Sequence, residues 1–335
     1  MTSNDARATL VRATDSKLII DEEKRATYEG NYDPTWNIGV VPNGGYTLAI
    51  VLHCAHDFVK RRIGKQQEHL FSCNATYLGK VSADLPYTVE VRLLKPGRNT
   101  SVLEADILQN SGKQGSSVVC TRVSCIFADF TALRSDPITG QFSFLPNEPF
   151  GNTAPLLMDP NDRSKEKPWY PKHKVPTKIV DEKAQEKTKE DEGRLTVVQS
   201  MHFPQEEVSA EDMIGHNLTA IAFYMDMTVT WKSMMPPKAK EVSGGRTDFW
   251  FPTMTLSIEI AHPIPTYALQ NIVTKAKTTF LHQGHWSFEI EIWSHPSDAE
   301  KLQLPKGVNS ILLAVSRQTA LSMSMAVNKK KSSKL

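Results

Sequence analysis

Leu48, Leu52, Ala55 and Val59 recur at spacings of three and four, and this periodicity predicts a helix over 46–62. A short strand around Tyr28 precedes it. Stretches rich in β-branched residues follow at 70–78, 87–95, 99–109 and 117–127, punctuated by Pro86, Pro96-Gly97 and Ser111-Gly112. They predict strands. The order then repeats. A strand-like piece at 195–202 leads into a helical stretch at 209–235, opened by Ser209 with Asp212 three residues on and stopped by Pro236-Pro237. Further strands are predicted at 251–261, 267–280, 285–293 and 310–323. One helix followed by several antiparallel strands, twice over, predicts an α+β fold in which each half wraps a sheet round its own helix.

The halves are expected at 1–146 and 195–328. Between them, 147–194 is polar and proline-rich and ends in the charged run from Asp181 to Glu192, so it reads as a solvated linker. Residues 294–308 read as a long surface loop between the final two strands. A basic tail occupies 329–335.

The start of the first helix carries the most information. Pro42-Asn43 stop the preceding strand, and Gly44-Gly45 let the backbone bend without a Cβ clash before Tyr46. The helix therefore begins with unshielded N–H groups and almost no side chain in front of them. Such an end attracts negative charge and can polarise a carbonyl placed against it. The plainer alternative is a glycine turn that merely starts a buried helix.

Composition narrows the field. The chain has 335 residues, enough for two domains, and 40% of them are hydrophobic, as in ordinary globular proteins. Its net charge is +2 with no long basic stripe in the folded part, so nucleic acid is not an expected partner. No apolar window reaches the length of a membrane span, and the N-terminal residues lack a hydrophobic signal core. Cys54, Cys73, Cys120 and Cys125 form no CxxC pair and have no histidine at metal spacing, so no metal site is expected. They read as small buried hydrophobes in a reducing compartment. The final Ser333-Lys334-Leu335 matches the peroxisomal import address, which predicts an import receptor as a partner and the peroxisome as the location.

The run Trp36-x-x-Gly39…Pro42-Asn43-Gly44-Gly45-Tyr46 resembles the helix start of the thioesterase-like superfamily, the double-hotdog acyl-CoA thioesterases related to bacterial thioesterase II. The segment from Arg92 to Ser101 is similar to the strand pair that follows in that family. Trp250-Phe251-Pro252-Thr253, Ile292-Trp293 and the stretch from Leu313 to Gln318 are similar to its closing strands. The similarity covers roughly 28–130 and 195–325, and fungal proteins of lipid and secondary metabolism look nearest. It implies a double hotdog, two antiparallel sheets each wrapped round a long helix, with a site at their junction. It also implies further association of such chains and an acyl-CoA substrate, with CoA part of that substrate and no separate cofactor.

The resemblance implies a water held by an Asp, a Ser or Thr, and a Gln, which fall here on Asp226, Thr253 and Gln318. Asp226 sits among Ala222, Phe223 and Val229, so its carboxylate emerges from a largely apolar helix face, a costly place without donors. Strict alternation puts Thr253 and Thr255 on one strand face, so register does not separate them. Gln318 shares its face with Ala314, Ser316 and Ala320, small neighbours that leave room for its amide. Asn43, Gly44, Gly45 and Tyr46 would bind substrate, with the Gly44 and Gly45 N–H groups against the thioester carbonyl. Where relatives carry Gly-Arg, this chain has Gly284-His285. No Gly-x-Ser-x-Gly is present, which argues against a serine hydrolase. Two other readings remain open: a hotdog enzyme acting on a carrier-bound chain, by dehydration or product release, and a non-catalytic acyl-CoA-binding protein.

Overall fold

The computed structural model describes residues 10–38, 40–110, 116–138, 167–168, 176–179, 196–202, 208–227, 249–269, 271–304 and 306–324. Gly39, the charged run from Asp181 to Glu192, the helical stretch predicted beyond 227, and the tail with Ser333, Lys334 and Leu335 lie outside the described residues.

The N-terminal half contains α1 (Leu10–Thr14), β1 (Lys17–Asp21), β2 (Arg25–Gly30), the short pair β3 (Asn37–Ile38) and β4 (Val41–Pro42), and α2 (Gly44–Arg62). Strands β5 (His69–Tyr77), β6 (Tyr87–Lys95), β7 (Thr100–Asn110) and β8 (Ser117–Ala128) follow, then a single turn, α3 (Phe130–Arg134). The second half comprises β9 (Lys167–Pro168), β10 (Pro176–Ile179), β11 (Thr196–His202) and α4 (Met213–Met227). It continues with β12 (Phe249–Trp250), β13 (Thr253–Ile260), β14 (Asn271–His282), β15 (His285–Ser294), β16 (Leu312–Leu321) and β17 (Met323–Ser324).

Thirteen of these strands form one antiparallel sheet in the order β1-β2-β6-β7-β8-β5-β13-β16-β15-β14-β11-β10-β9. The two expected sheets thus meet edge to edge. β5 of the first half pairs with β13 of the second, with Thr76 opposite Thr255 and Ser72 opposite Glu259. This seam leaves neither central strand with an open edge. The stretch read as a linker departs from a mere spacer: β9 and β10 extend the far edge of the sheet beyond β11.

Both long helices lie on one side of this sheet and pack on each other. Nearly every residue from Gly45 to Leu52 in α2, and from Leu218 to Met225 in α4, is buried. A helix enclosed by sheet on one side and a partner helix on the other needs apolar residues all round. The helices run antiparallel and touch through glycine at both ends. A Cβ on Gly45 would lie 2.8 Å from the Phe223 carbonyl oxygen, and one on Gly215 would lie 2.6 Å from His56 Nδ1. The start of α2 therefore meets the last turn of α4. Asn217 fastens α4 to the following loop, donating to the carbonyls of Pro265 and Tyr267 and accepting from Leu269 N. Ser209 and Asp212 bond each other and Asp212 also takes Lys60, so the expected cap becomes a clamp between the helices.

At β14–β15, Gln283 (φ +47°) and Gly284 (φ +79°) form the tight two-residue turn, a conformation glycine adopts without Cβ strain. The four cysteines are buried and unpaired. Among the described residues no helix is long and apolar enough to cross a membrane, and no three His, Cys, Asp or Glu side chains gather as a metal site.

Candidate active site

Asn43 caps α2, its Oδ1 accepting from Tyr46 N at 3.0 Å. That leaves the N–H groups of Gly44 and Gly45, which no helical carbonyl can reach. Gly45 N donates to Asp226 Oδ2 at 2.9 Å, so the positive end of one helix holds a carboxylate from the last turn of the other. Thr253 Oγ1 donates to Asp226 Oδ1 at 2.9 Å. One donor comes from each half of the chain.

Burial pushes the Asp226 carboxyl above the ordinary aspartate value, and this outweighs the donors Gly45, Thr253, Asn43 and Gln318, which favour the charged form. The carboxylate keeps a partly exposed face on a cavity of about 250 Å³. The wall of that cavity is mostly apolar, including Val41, Leu78, Trp250, Phe251 and Leu321, with Asn43, Gly44, Thr47, Tyr77, Lys80 and Thr253 among its polar points. A carboxylate with a raised pKa on the wall of an apolar cleft has the character of a general base.

The bulge between Thr253 and Thr255 settles which threonine belongs here. The extra residue rotates the strand, so Thr253 turns inward to Asp226 while Thr255 faces outward and shares a hydrogen bond with Thr319. Simple alternation fails at this point.

Gln318 reaches Asp226 from behind. On β16 it lies opposite Leu256 of β13 and Phe288 of β15, and it is only 2% exposed. Its Nε2 donates to Met225 O at 2.7 Å, capping an end carbonyl of α4 next to Asp226. Its Oε1 is buried without a partner. Gln318 fixes the helix end and does not line the cavity.

The substrate-facing set changes in two places. Tyr46 moves out of it: its ring is fully buried and its hydroxyl donates to Ala13 O while accepting from Asp33 N. Tyr46 ties α1 to the helix start. Gly45 faces Asp226, and its N–H is spent on that carboxylate. Asn43 and Gly44 stay on the cavity wall. Sequence reasoning missed Tyr77, whose hydroxyl donates to Gly44 O at 2.8 Å; a strand-end tyrosine carries no local signal of such a contact.

Residues 32–128 match the family described as acyl-CoA thioesterase N-terminal domain. The whole chain resembles solved structures of the same architecture. One is the tesB protein of Mycobacterium avium subsp. paratuberculosis, at 12% identity and a TM-score of 0.57, covering 94% of this chain and 98% of that one. Acyl-CoA thioesterase II TesB2 of Mycobacterium marinum gives 12% and 0.57, covering 94% and 97%. A hotdog-fold protein of Alicyclobacillus acidocaldarius gives 16% and 0.58, covering 94% and 98%.

The chain has the hotdog fold.

Coverage of 94% by these folds spans both hotdog halves. Comparison with curated protein sequences gives no match. In this hotdog protein the site falls at the junction of the halves: the glycine helix start and Tyr77 come from the first, and Asp226, Thr253 and Gln318 from the second.

Proposed function

We propose that the protein hydrolyses acyl-CoA, or a closely related acyl thioester, to free acid and thiol through an activated water. The observation that carries the reading is the Asp226 carboxylate, held by Gly45 and Thr253 from opposite halves and facing an apolar cavity. The acyl chain lies against that apolar wall. Asp226 takes a proton from water as the water attacks the thioester carbon. The Gly44 N–H, on the cavity wall and without a helical acceptor, supports the developing oxyanion. Collapse of the tetrahedral intermediate breaks the C–S bond, and the departing thiolate takes the proton that Asp226 gained from the water, leaving as the thiol and restoring the carboxylate. Thr253 and Gln318 serve the base: the first by a direct hydrogen bond, the second by fixing the helix end. No protein nucleophile is needed.

Thiol release from acyl-CoAs of graded chain length tests this. Wild type releases thiol and free acid in equal amounts. Thr253→Ala loses about 10-fold or more in kcat/KM, since a hydrogen bond to a charged group is worth about 1.5–3 kcal/mol. It also shifts the acid limb upward, because a donor to the charged form is gone. Thr255→Ala behaves as wild type. Tight acyl-CoA binding with no thiol would identify a binding protein instead, and an unsaturated product a dehydratase.

A further inference from the structure

We infer that Tyr77 is a positioning residue for the Asp226 base, acting through the peptide that joins Gly44 to Gly45; the inference rests on the hydrolase reading above. Tyr77 ends β5, and its hydroxyl donates to Gly44 O at 2.8 Å. That carbonyl belongs to the same peptide unit whose N–H, on Gly45, donates to Asp226 Oδ2 at 2.9 Å. The two bonds lie on opposite edges of one trans peptide. They form a continuous chain from phenol to carbonyl, across the amide, and from N–H to carboxylate.

Two physical effects follow. A hydrogen bond accepted by a carbonyl polarises its amide and makes the N–H a stronger donor. It also fixes the plane of the peptide, which matters because neither glycine has a side chain to hold it. Burial, with the Asp226 charge beside it, keeps the Tyr77 hydroxyl protonated and able to donate.

The seam of the sheet explains why this residue is in place. Thr76 of β5 pairs with Thr255 of β13, so the end of one strand and the start of the other arrive at the same carboxylate. Thr253 supports Oδ1 directly, and Tyr77 supports Oδ2 through the peptide. Among the described residues, Asp226, Tyr77 and Lys80 are the titratable side chains of the cavity wall.

Tyr77→Phe keeps the ring in the wall and removes the hydroxyl. The full-length protein with 13C-labelled aspartate carboxyls is titrated by NMR, the Asp226 signal being assigned by its loss in Asp226→Asn. Steady-state kinetics with an acyl-CoA run in parallel, and thermal melting confirms folding. In Tyr77→Phe the Asp226 carboxyl titrates at higher pH than in wild type. kcat falls about 2- to 10-fold, the worth of one ordinary hydrogen bond, while KM stays near wild type. The acid limb of kcat/KM moves up with the carboxyl titration. An unmoved Asp226 titration overturns the inference, whether kcat falls or not. So does a raised KM with kcat intact, which would make Tyr77 a wall residue alone. If Asp226→Asn still hydrolyses acyl-CoA, the hydrolase reading fails separately, and the NMR titration still decides the link between Tyr77 and Asp226.

Discussion

Asp226→Asn yields a folded protein that has lost about 10²- to 10⁴-fold in thioester hydrolysis, the usual contribution of a positioned general base. An amide cannot take the proton from water, yet it fills the same space at the end of α4. Its stability is the informative companion measurement. Burial raises the Asp226 pKa in the folded protein, so the ionised carboxylate opposes folding at neutral pH. Asparagine removes that penalty but can no longer accept from both Gly45 and Thr253, a loss of about 1 kcal/mol. The two changes act in opposite directions at neutral pH. On acidification the proteins diverge. Wild type gains stability as the pH drops through the raised folded-state pKa towards the unfolded-state value, because the folded form binds the proton first. The variant shows no such gain. Thiol release with melting curves at neutral and acid pH measures both. Wild-type turnover in the variant would remove Asp226 from the chemistry.

Gly45→Ala has the second large effect, this time on architecture. The added methyl would sit 2.7 Å from Asp226 Cβ, 2.8 Å from Phe223 O and 3.0 Å from Ala222 O. Two of those neighbours are backbone atoms of α4, which cannot swing aside, so the helices must part. Overpacking of this kind costs about 1–3 kcal/mol. Activity falls further than stability, by about 10²-fold, because the shift falls between the Gly45 donor and the carboxylate it orients. Gly44→Ala provides the contrast. Its methyl would meet Asp226 Oδ2 at 3.2 Å, a side-chain atom, so the fold suffers less while the base is disturbed. Urea midpoints and kcat/KM for the two variants separate the effects. A Gly45→Ala protein as stable as wild type would show that the helix contact is looser than these distances imply.

Much of this arrangement is legible in the chain, and the parts that are not share a physical reason. The helix start is written locally: Asn43 caps, the glycines clear space, and the apolar spacing of α2 follows. The principal strands of both halves are equally local. Asp226, Thr253 and Gln318 come from family resemblance, and the structure gathers them around one carboxylate. What a local pattern cannot carry is pairing at long range. The β5–β13 seam joins residues about 180 positions apart, and nothing in either strand names its partner. The bulge after Thr253 breaks the alternation on which sequence register depends, so the choice between Thr253 and Thr255 becomes visible only in the folded sheet. Strands β9 and β10 are too short and too polar to stand out from the linker around them. Sequence marks Tyr46 as a substrate contact and gives no sign of Tyr77. Only the fold sends one hydroxyl to Ala13 and the other to Gly44.

The central claim is that a carboxylate held across the junction of the two halves drives direct attack of water on a thioester. Rapid mixing of excess enzyme with an acyl-CoA, quenched through a single turnover and read by mass for thiol, free acid and intact protein, tests it most directly. Thiol and acid should appear in step, with the protein mass unchanged throughout. Thiol released ahead of acid, with an acyl group found on Asp226, would contradict it.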